Sequence, residues 1–410
     1  MKIAVIGGGA SGLTAAISAA REGAEVVILE RCDRVGRKIL ATGNGRCNYT
    51  NINADIDNYH GGASEFIGYA KKHFWVKETK AFFEELGMLT KTENGGKAYP
   101  YSLQASAVLD VLRFEAERLG IEVVTSFEAC EIGKNANGFT VISYDGKKQA
   151  CDRVILSAGG KASPSLGSNG SGYEIAKKLG HHITKLFPAL VQVKTETTLV
   201  KALKGIKLDA KVRYSRKGKI LSESMGELLF CDYGVSGPSV FNISRQCSEF
   251  GDGELLIDLL PEMSRDKLLP ILKNRCSRER TLENYFVGMI NKKLGMTVMK
   301  YAGVLPYSRS ADTLTNEEIS RLADSLKCFK LKVTGTMSWN NAQVTAGGIV
   351  TSEVNPRTLE SKLCKGVFIT GEILDIDGDC GGYNLQWAWT SGYMAGKISC
   401  ATHAYFEIEV

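Results

Sequence analysis

Three glycines and one acid carry the first chemistry of this chain. Residues 2–30 read KIAVIGGGASGLTAAISAAREGAEVVILE. An apolar run from Ile3 to Ile6 leads into Gly7-x-Gly9-x-x-Gly12, a helix pattern follows, and a second apolar run, Val26 to Leu29, ends in Glu30. Strand, glycine turn, helix, strand and acid, in that order, make a dinucleotide-binding βαβ unit. Gly7 permits the tight turn, Gly9 lets backbone approach a pyrophosphate, and Gly12 lets the helix pack closely on the strand. The N–H groups at Ala10 and Ser11, with the positive end of the helix dipole, face the phosphates. Glu30 accepts hydrogen bonds from a ribose diol and repels a 2′-phosphate, so the adenosine half is expected to be unphosphorylated.

The segment after Glu30 bears on which dinucleotide binds. It holds Arg31, Arg37 and Lys38, then Gly43-Asn44-Gly45-Arg46-Cys47-Asn48. A nicotinamide dehydrogenase normally runs from the acid into another βα unit. This stretch is instead similar to the glutathione-reductase-like flavoproteins, whose Gly-rich, basic segment wraps the FAD pyrophosphate. FAD is the expected cofactor.

The resemblance extends over nearly the whole chain. GNGRCN at 43–48, LSAGGKASPSLGSNGSGYEIAKKLGH at 156–181, LFPALVQVK at 186–194 and GVSGP at 234–238 form one series with TAGGIV at 345–350 and GEILDIDGDCGGYNLQWAWTSGYMAG at 371–396. Together they resemble the HI0933-like flavoproteins, also labelled BaiN-like or aminoacetone-oxidase-family NAD(P)/FAD-dependent oxidoreductases. The resemblance implies an α/β architecture: a bipartite Rossmann-like FAD-binding domain interrupted by a β-barrel-like module and a small helical lobe. The expected parts are 1–190 and 344–410 for the flavin domain, 191–262 for the β-rich module that lids the flavin, and 263–343 for the helical lobe and a return strand.

It also implies site residues. Ala158, Gly159 and Gly160 end a strand that returns to the nucleotide, and Ala129 lies on the segment expected beside the adenine. Gly371, Glu372 and Asp375 follow the re-entry strand. Gly382, Tyr383, Asn384, Leu385 and Gln386 open the last long helix, expected from Asn384 to about Ala401, whose N-terminus faces the flavin pyrimidine edge and stabilises negative charge on the reduced ring. Arg46 and Asn48 are expected to make polar flavin contacts. Cys47 has no second cysteine at disulfide-reductase spacing, and its reading stays open between a packing residue and one touching the isoalloxazine. Arg46, Tyr233 and Tyr383 are the candidates for catalysis, with Arg245 also in reach of a motif. None of the five histidines, His60, His73, His181, His182 and His403, identifies itself as a general acid.

Asp375, Asp377 and Asp379 alternate, as in a calcium loop. Counting from Asp375, however, the sixth residue is Cys380 rather than Gly and the twelfth is Gln386 rather than a bidentate Glu, so no metal is expected.

Composition narrows the remaining classes. A chain of 410 residues suits two or three domains. Its 44 glycines cluster at the motifs above, where backbone must approach a ligand. The net charge of +6 is mild and its lysine pairs are scattered, so nucleic acid is not an expected partner. The eleven cysteines are odd in number and lack a CxxC pair, which suits reduced thiols. No signal-peptide pattern and no apolar run of membrane length is read, so a cytoplasmic protein is expected. Oligomeric state is not readable.

The expected activity is reduction or dehydrogenation of a C=C conjugated to a carbonyl in a small or steroid-like molecule. The motifs SAGG at 157–160 and GSGY at 170–173 are also similar to fumarate-reductase and ketosteroid-dehydrogenase flavoproteins, and BaiN-like members are associated with enone reduction. The alternatives are an oxygen-using amine or aminoketone oxidase, and an FAD-binding module in sensing or RNA modification. No second GxGxxG follows residue 12, so NADH or NADPH as electron donor would dock transiently over the flavin.

Among the elements that must position these groups, helices are expected over Trp75–Leu86 and Leu103–Leu119, and strands over Ile121–Thr125, Thr140–Tyr144 and Arg153–Leu156. In the insertion, strands are expected at Val191–Lys194, Ala210–Tyr214, Lys219–Leu221 and Leu255–Asp258, then a helical section from Ser264 to about Leu326. Thr315-x-x-Glu318 is a capping box opening its last helix, and Lys330–Val333 returns to strand.

Overall fold

The computed structural model describes residues 1–400; Ala401, His403 and the rest of 401–410 lie outside the described residues. The chain divides into two units, Met1–Phe187 with the segment from Val344 onward, and Pro188–Gln343.

In the first unit, strand β1 (Lys2–Ile6) has Ile3, Ala4 and Val5 fully buried. A strand apolar on both faces belongs in the middle of a covered parallel sheet. It pairs in parallel with β2 (Glu25–Leu29) on one side and with Arg153–Leu156 on the other. Glu122–Val124 extends the sheet beyond β2, and Val367–Ile369 extends it beyond Arg153–Leu156, giving five parallel strands. The re-entering segment therefore supplies an edge of the sheet begun at residue 2.

Helix α1 (Ala10–Arg21) joins β1 to β2. The last helix, Tyr383–Ser399, lies against it. Small residues allow the contact: a Cβ on Gly392 would sit 2.3 Å from the Ser11 carbonyl oxygen, and one on Gly396 would sit 2.3 Å from that of Ala15. The first two turns of α1 are thereby packed against the second half of the last helix.

Two of the longer helices escaped the sequence reading. Ala63–His73 is a helix burying Phe66, Ile67 and Ala70, and Pro238–Phe250 is a helix burying Val240, Ile243 and Cys247. In each, a narrow apolar stripe is diluted by polar residues, and in the first Gly68 interrupts the pattern further.

The second unit closes an antiparallel barrel of six strands: Val193–Thr195, Gly234–Ser236, Lys219–Phe230, Lys207–Arg216, Gly253–Asp258 and Phe329–Thr336. The last of these was expected as a return strand grouped with the helical lobe. It is instead a barrel stave, pairing with both Val193–Thr195 and Gly253–Asp258. The split at 262/263 therefore does not separate two modules: barrel strands and helices share one apolar core that includes Val212, Phe230, Ile257, Leu268, Leu322 and Phe329. The helices Arg265–Asn274, Lys292–Tyr301 and Asn316–Lys327 are threaded between the fifth and last staves, and Thr315 with Glu318 forms the capping box of the third.

Candidate functional site

The glycine turn after β1 separates what the fold needs from what a ligand needs. Gly7 has φ +101°, and a Cβ there would lie 2.6 Å from the Ser157 carbonyl oxygen. A Cβ on Gly12 would lie 1.8 Å from the Gly7 carbonyl oxygen. Both positions are closed by the protein's own backbone. Gly9 is different: its backbone is extended (φ −82°, ψ −167°), a shape any residue adopts, and a Cβ there meets nothing within 4 Å. It is the N-cap of α1 and carries no side-chain cap. The space beside it, fronted by the first N–H groups of α1, has the chemistry of a phosphate cradle.

Glu30 frames the adjacent edge. Its carboxylate accepts from the Gly8 N–H and from the Cys32 N–H, each at 2.8 Å. Two oxygens offer about four lone-pair directions, so capacity for a ribose diol remains. Burial, with the neighbouring Glu30 charge, holds the Cys32 thiol above its ordinary range. Ala129 is buried at the start of the strand Ala129–Asn135, and the pairing register slips between it and Glu131.

The basic residues after Glu30 are engaged with the protein. Arg31 Nη1 donates to the Gly167 carbonyl at 3.3 Å, and Arg37 Nη2 donates to that of Ser165 at 3.0 Å, so both hold the 163–167 turn. Lys38 Nζ lies 2.7 Å from Glu372 Oε2, while Glu372 Oε1 accepts from the Thr345 N–H. Thr345 Oγ1 in turn accepts from the Lys161 and Ala162 N–H groups. A Cβ on Gly160 would strike that hydroxyl at 2.3 Å. Gly160 is buried, and its glycine identity follows from Thr345 rather than from a ligand. Ala158 and Gly159 are partly exposed, Gly159 at φ +70°.

The loop at 43–48 leaves Gly43, Asn44 and Gly45 exposed, with Asn44 and Cys47 both left-handed at φ 55°. Cys47 is fully buried, and burial pushes its thiol up to about 12. That closes the open alternative: Cys47 is a packing residue, and its expected place among the cofactor contacts is corrected. Arg46 is the charged group of the loop and is partly exposed. Its guanidinium stacks 4.4 Å from the Tyr99 ring centroid, donates to the Tyr99 hydroxyl at 3.2 Å and lies 3.4 Å from Glu93. The Asn48 side-chain oxygen is buried without a hydrogen-bond partner, and a Cβ on Gly382 would come within 3.0 Å of it. An orphaned amide beside the last helix's first turn is an arrangement that a bound polar ring edge would complete.

Gly382, at φ +99°, is the N-cap of that helix and offers no side-chain cap. The helix starts at Tyr383, one residue before the expected Asn384. Tyr383 is half-buried, and burial raises its phenol. Its carbonyl accepts from the Tyr59 hydroxyl at 2.9 Å. Asn384 turns its side chain back to the preceding loop, accepting from the Gly378 N–H and donating to the Gly378 carbonyl. Leu385 is partly exposed. Gln386 is a correction: it is fully buried, accepts from the Thr50 hydroxyl and donates to Thr79 and Thr390. Its N–H is also spent on the Gly382 carbonyl. It anchors the helix and has nothing left for a ligand.

Gly371 is brought against α1, where a Cβ would lie 3.0 Å from Ser11 Cβ, and Ser11 Oγ donates to Thr370. The Asp375 carbonyl accepts from the Gly62 N–H. His60 Nε2 lies 2.9 Å from Asp379 Oδ1, a pair unreadable in sequence because its members stand 319 residues apart. Tyr233 belongs to the inserted unit, where burial raises its phenol and its carbonyl accepts from the Thr195 N–H.

The HI0933-like protein Rossmann domain family matches residues 1–398 of this chain. The chain belongs to the HI0933-like family. It is 41% identical over 406 residues to the 3-dehydro-bile acid delta(4,6)-reductase of Clostridium scindens, covering 97% of this chain and 98% of that protein. It is 28% identical over 397 residues to a ribosomal RNA dihydrouridine synthase of Escherichia coli, covering 96% of each. A 3-ketosteroid delta1-dehydrogenase from Sterolibacterium denitrificans superposes with a TM-score of 0.48 at 13% identity, covering 97% of this chain and 99% of that one. This HI0933-like chain is an FAD-dependent oxidoreductase built on a Rossmann-type flavin fold. The open space at Gly9 and the orphaned Asn48 oxygen both fit the flavin. Among the described residues, no helix is long and apolar enough to cross a membrane.

Proposed function

We propose that this enzyme reduces a C=C conjugated to a carbonyl in a polycyclic, steroid-like small molecule. The observation that carries the reading is end-to-end identity of 41% with an enzyme named for reducing bile-acid double bonds. FAD supplies hydride chemistry at its N5 position when bound. The chain's own residues do the rest. The first N–H groups of α1 at Ala10 and Ser11, beside Gly9, bind the pyrophosphate, and Glu30 binds the ribose. The backbone at Tyr383–Leu385, with Asn48, meets the pyrimidine edge. Arg46, whose cation is held by Glu93 and Tyr99, polarises a substrate carbonyl, with Tyr383 as a further donor. NADH or NADPH serves as a transient electron donor, docking without a nucleotide domain of its own.

A second reading is reduction of the uracil C5=C6 bond in RNA, also conjugated to a carbonyl. It is favoured by the 28% relative and by charge: residues 188–343 hold 24 Lys and Arg against 17 Asp and Glu. Several of those cations are paired locally, as in Lys204–Asp232 at 2.6 Å, Lys211–Glu223 at 2.8 Å and Arg216–Asp252 at 2.7 Å. Paired charges make a poor phosphate track, so the small-molecule reading is preferred. The test is anaerobic mixing of photoreduced FAD enzyme with a polycyclic enone, a panel of amines, or unmodified ribosomal RNA. Return of the oxidised flavin bands with the enone alone supports the proposal. Return with RNA alone, in a salt-sensitive manner, establishes the second reading instead.

A further inference from the structure

A nicotinamide donor needs a place to dock, and no G-x-G-x-x-G follows residue 12 to provide it. We infer that the donor docks on one face of the hairpin formed by Thr90–Thr92 and Lys97–Pro100, with Lys91 and Lys97 on its phosphates and Tyr101 under its adenine. This rests on the reading above that NADH or NADPH reduces the flavin.

The register decides which side chains share that face. The two strands pair antiparallel with Lys91 opposite Tyr99, and the Glu93 N–H donates to the Lys97 carbonyl. One pair further along, the Tyr101 N–H donates to the Leu89 carbonyl. Residues two apart in a strand lie on one side of it, so Lys97, Tyr99 and Tyr101 line up beside Glu93, Lys91 and Leu89. A third strand, Thr50–Asn51, fixes where the row begins. Asn51 stands opposite Lys97, and its Nδ2 donates at 3.0 Å to the carbonyl of Gly381, next to the N-cap of the last helix. Burial raises the Cys380 thiol in that turn, and the Lys97 charge works against it. The row therefore starts at the turn assigned to the flavin edge and runs out to Tyr101 and Leu89, 68% and 72% exposed.

Charge and shape suit a dinucleotide. Arg46 stacks on the Tyr99 ring beside Glu93, so three cations share the face with one carboxylate. Arg46 has that acid as its partner. Neither the Lys91 nor the Lys97 ammonium has a hydrogen bond or ion pair among the described residues. The two lysines are diagonal neighbours across the ladder, about 7–8 Å apart at the backbone, a spacing from which both flexible stems reach one pyrophosphate. The exposed Tyr101 ring gives a base a stacking surface. The donor leaves before the enone arrives, so Arg46 is free for the substrate carbonyl in the second half of the cycle.

Stopped-flow reduction of the oxidised holoenzyme by NADH and by NADPH, with calorimetry of their non-reducing tetrahydro analogues, tests this. If neither nucleotide reduces the flavin, the donor reading fails and this inference fails with it. If one does, Lys91→Gln and Lys97→Gln are each expected to weaken binding of its analogue about fivefold, the upper end for an exposed ion pair. The limiting reduction rate at saturating donor should hold, because the lysines grip phosphate and not the reacting carbon. Lys91→Arg and Lys97→Arg should keep the affinity. Tyr101→Ala should weaken the analogue at least about fivefold, and Tyr101→Phe should not. Losses equal for both nucleotides put the pyrophosphate on the lysines, and losses confined to NADPH put its 2′-phosphate there; either pattern supports the assignment. Unchanged analogue binding when both lysines are replaced overturns it and leaves the donor reading standing. So does weakening confined to an enone that bears a carboxylate, which makes the face a substrate-anion site. Loss of FAD from both Lys97→Gln and Lys97→Arg also overturns it, since that gives Lys97 to the cofactor.

Discussion

Three helices of the inserted unit and two of the flavin unit begin in opposite ways. In the inserted unit, Ser264, Asn291 and Thr315 each turn a side-chain oxygen onto the first N–H groups of the helix that follows. In the flavin unit, α1 and the last helix open on Gly9 and Gly382, and neither has a side-chain cap. An uncapped helix start costs stability, typically about 1 kcal/mol. The three capped helices of the inserted unit avoid that cost with their own residues. The flavin unit leaves these two starts bare, and on the proposed reading the cofactor answers them. Not every bare start has that use: Gln104 and Gly237 also open helices without a side-chain cap.

The largest effect should come from a glycine that both fold and cofactor require. Gly12→Ala places a methyl 1.8 Å from the Gly7 carbonyl oxygen and 2.7 Å from Ser157 Oγ, and the Gly7 backbone cannot give way. Destabilisation above about 4 kcal/mol is expected, with loss of soluble, folded protein by circular dichroism. Gly9→Val sharpens the contrast. Its backbone suits valine and its Cβ meets open space. The flavin-free protein should therefore melt within about 0.5 kcal/mol of the unchanged one, while FAD affinity measured by fluorescence falls at least about a hundredfold as the side chain fills the phosphate cradle. A yellow, stoichiometric Gly9→Val protein would break the comparison, because the open space would then have no ligand to explain it.

The same contrast governs what could be read before the structure was seen. The parallel sheet was legible because fully buried strands read as unbroken apolar runs, and Arg153–Leu156 falls on its expected residues. The glycine turn was legible because three glycines at fixed spacing have few other uses. Side-chain direction within a motif was not. Cys47 and Gln386 sit inside flavin motifs, yet one is packed into the core and the other is held by three threonines. Neighbours in sequence point to different sides of a loop or helix, and only packing decides which. Partnerships across the chain were also hidden: Asp379 meets His60, and Phe329–Thr336 closes a barrel begun at Val193, through contacts that leave no local signal.

On the inserted side, Thr315→Ala removes a finished cap. Thr315 Oγ1 accepts from the Glu318 N–H at 3.2 Å, and Glu318 returns the bond to the Thr315 N–H at 2.9 Å. Glu318 also pairs with Arg309 at 2.6 Å, so the helix start keeps one tether. A loss of about 1 kcal/mol in denaturant melts is expected, with FAD content unchanged. Loss of flavin in this variant would mean that the two kinds of helix start are not independent.

The smallest effect is a pH dependence in the flavin unit. His181 is buried, with Nδ1 at 3.0 Å from Glu353 Oε2 and Nε2 at 2.8 Å from Ser361 Oγ. Burial lowers its affinity for a proton more than Glu353 raises it. The geometry agrees: Ser361 Oγ already accepts from the Leu363 and Cys364 N–H groups, so its own proton goes to Nε2, and a protonated ring would break that bond. The unfolded chain takes up the proton near pH 6.5 and the folded one only below that. Stability from His181 is therefore present above pH about 6.5 and declines as pH falls through the interval beneath it. Urea melts at pH 7.5 and 5.5 should show a drop in the unchanged protein that is smaller in His181→Gln. An equal drop in both would place the acid sensitivity elsewhere, and would leave His181 as a packed ring whose proton the fold does not count.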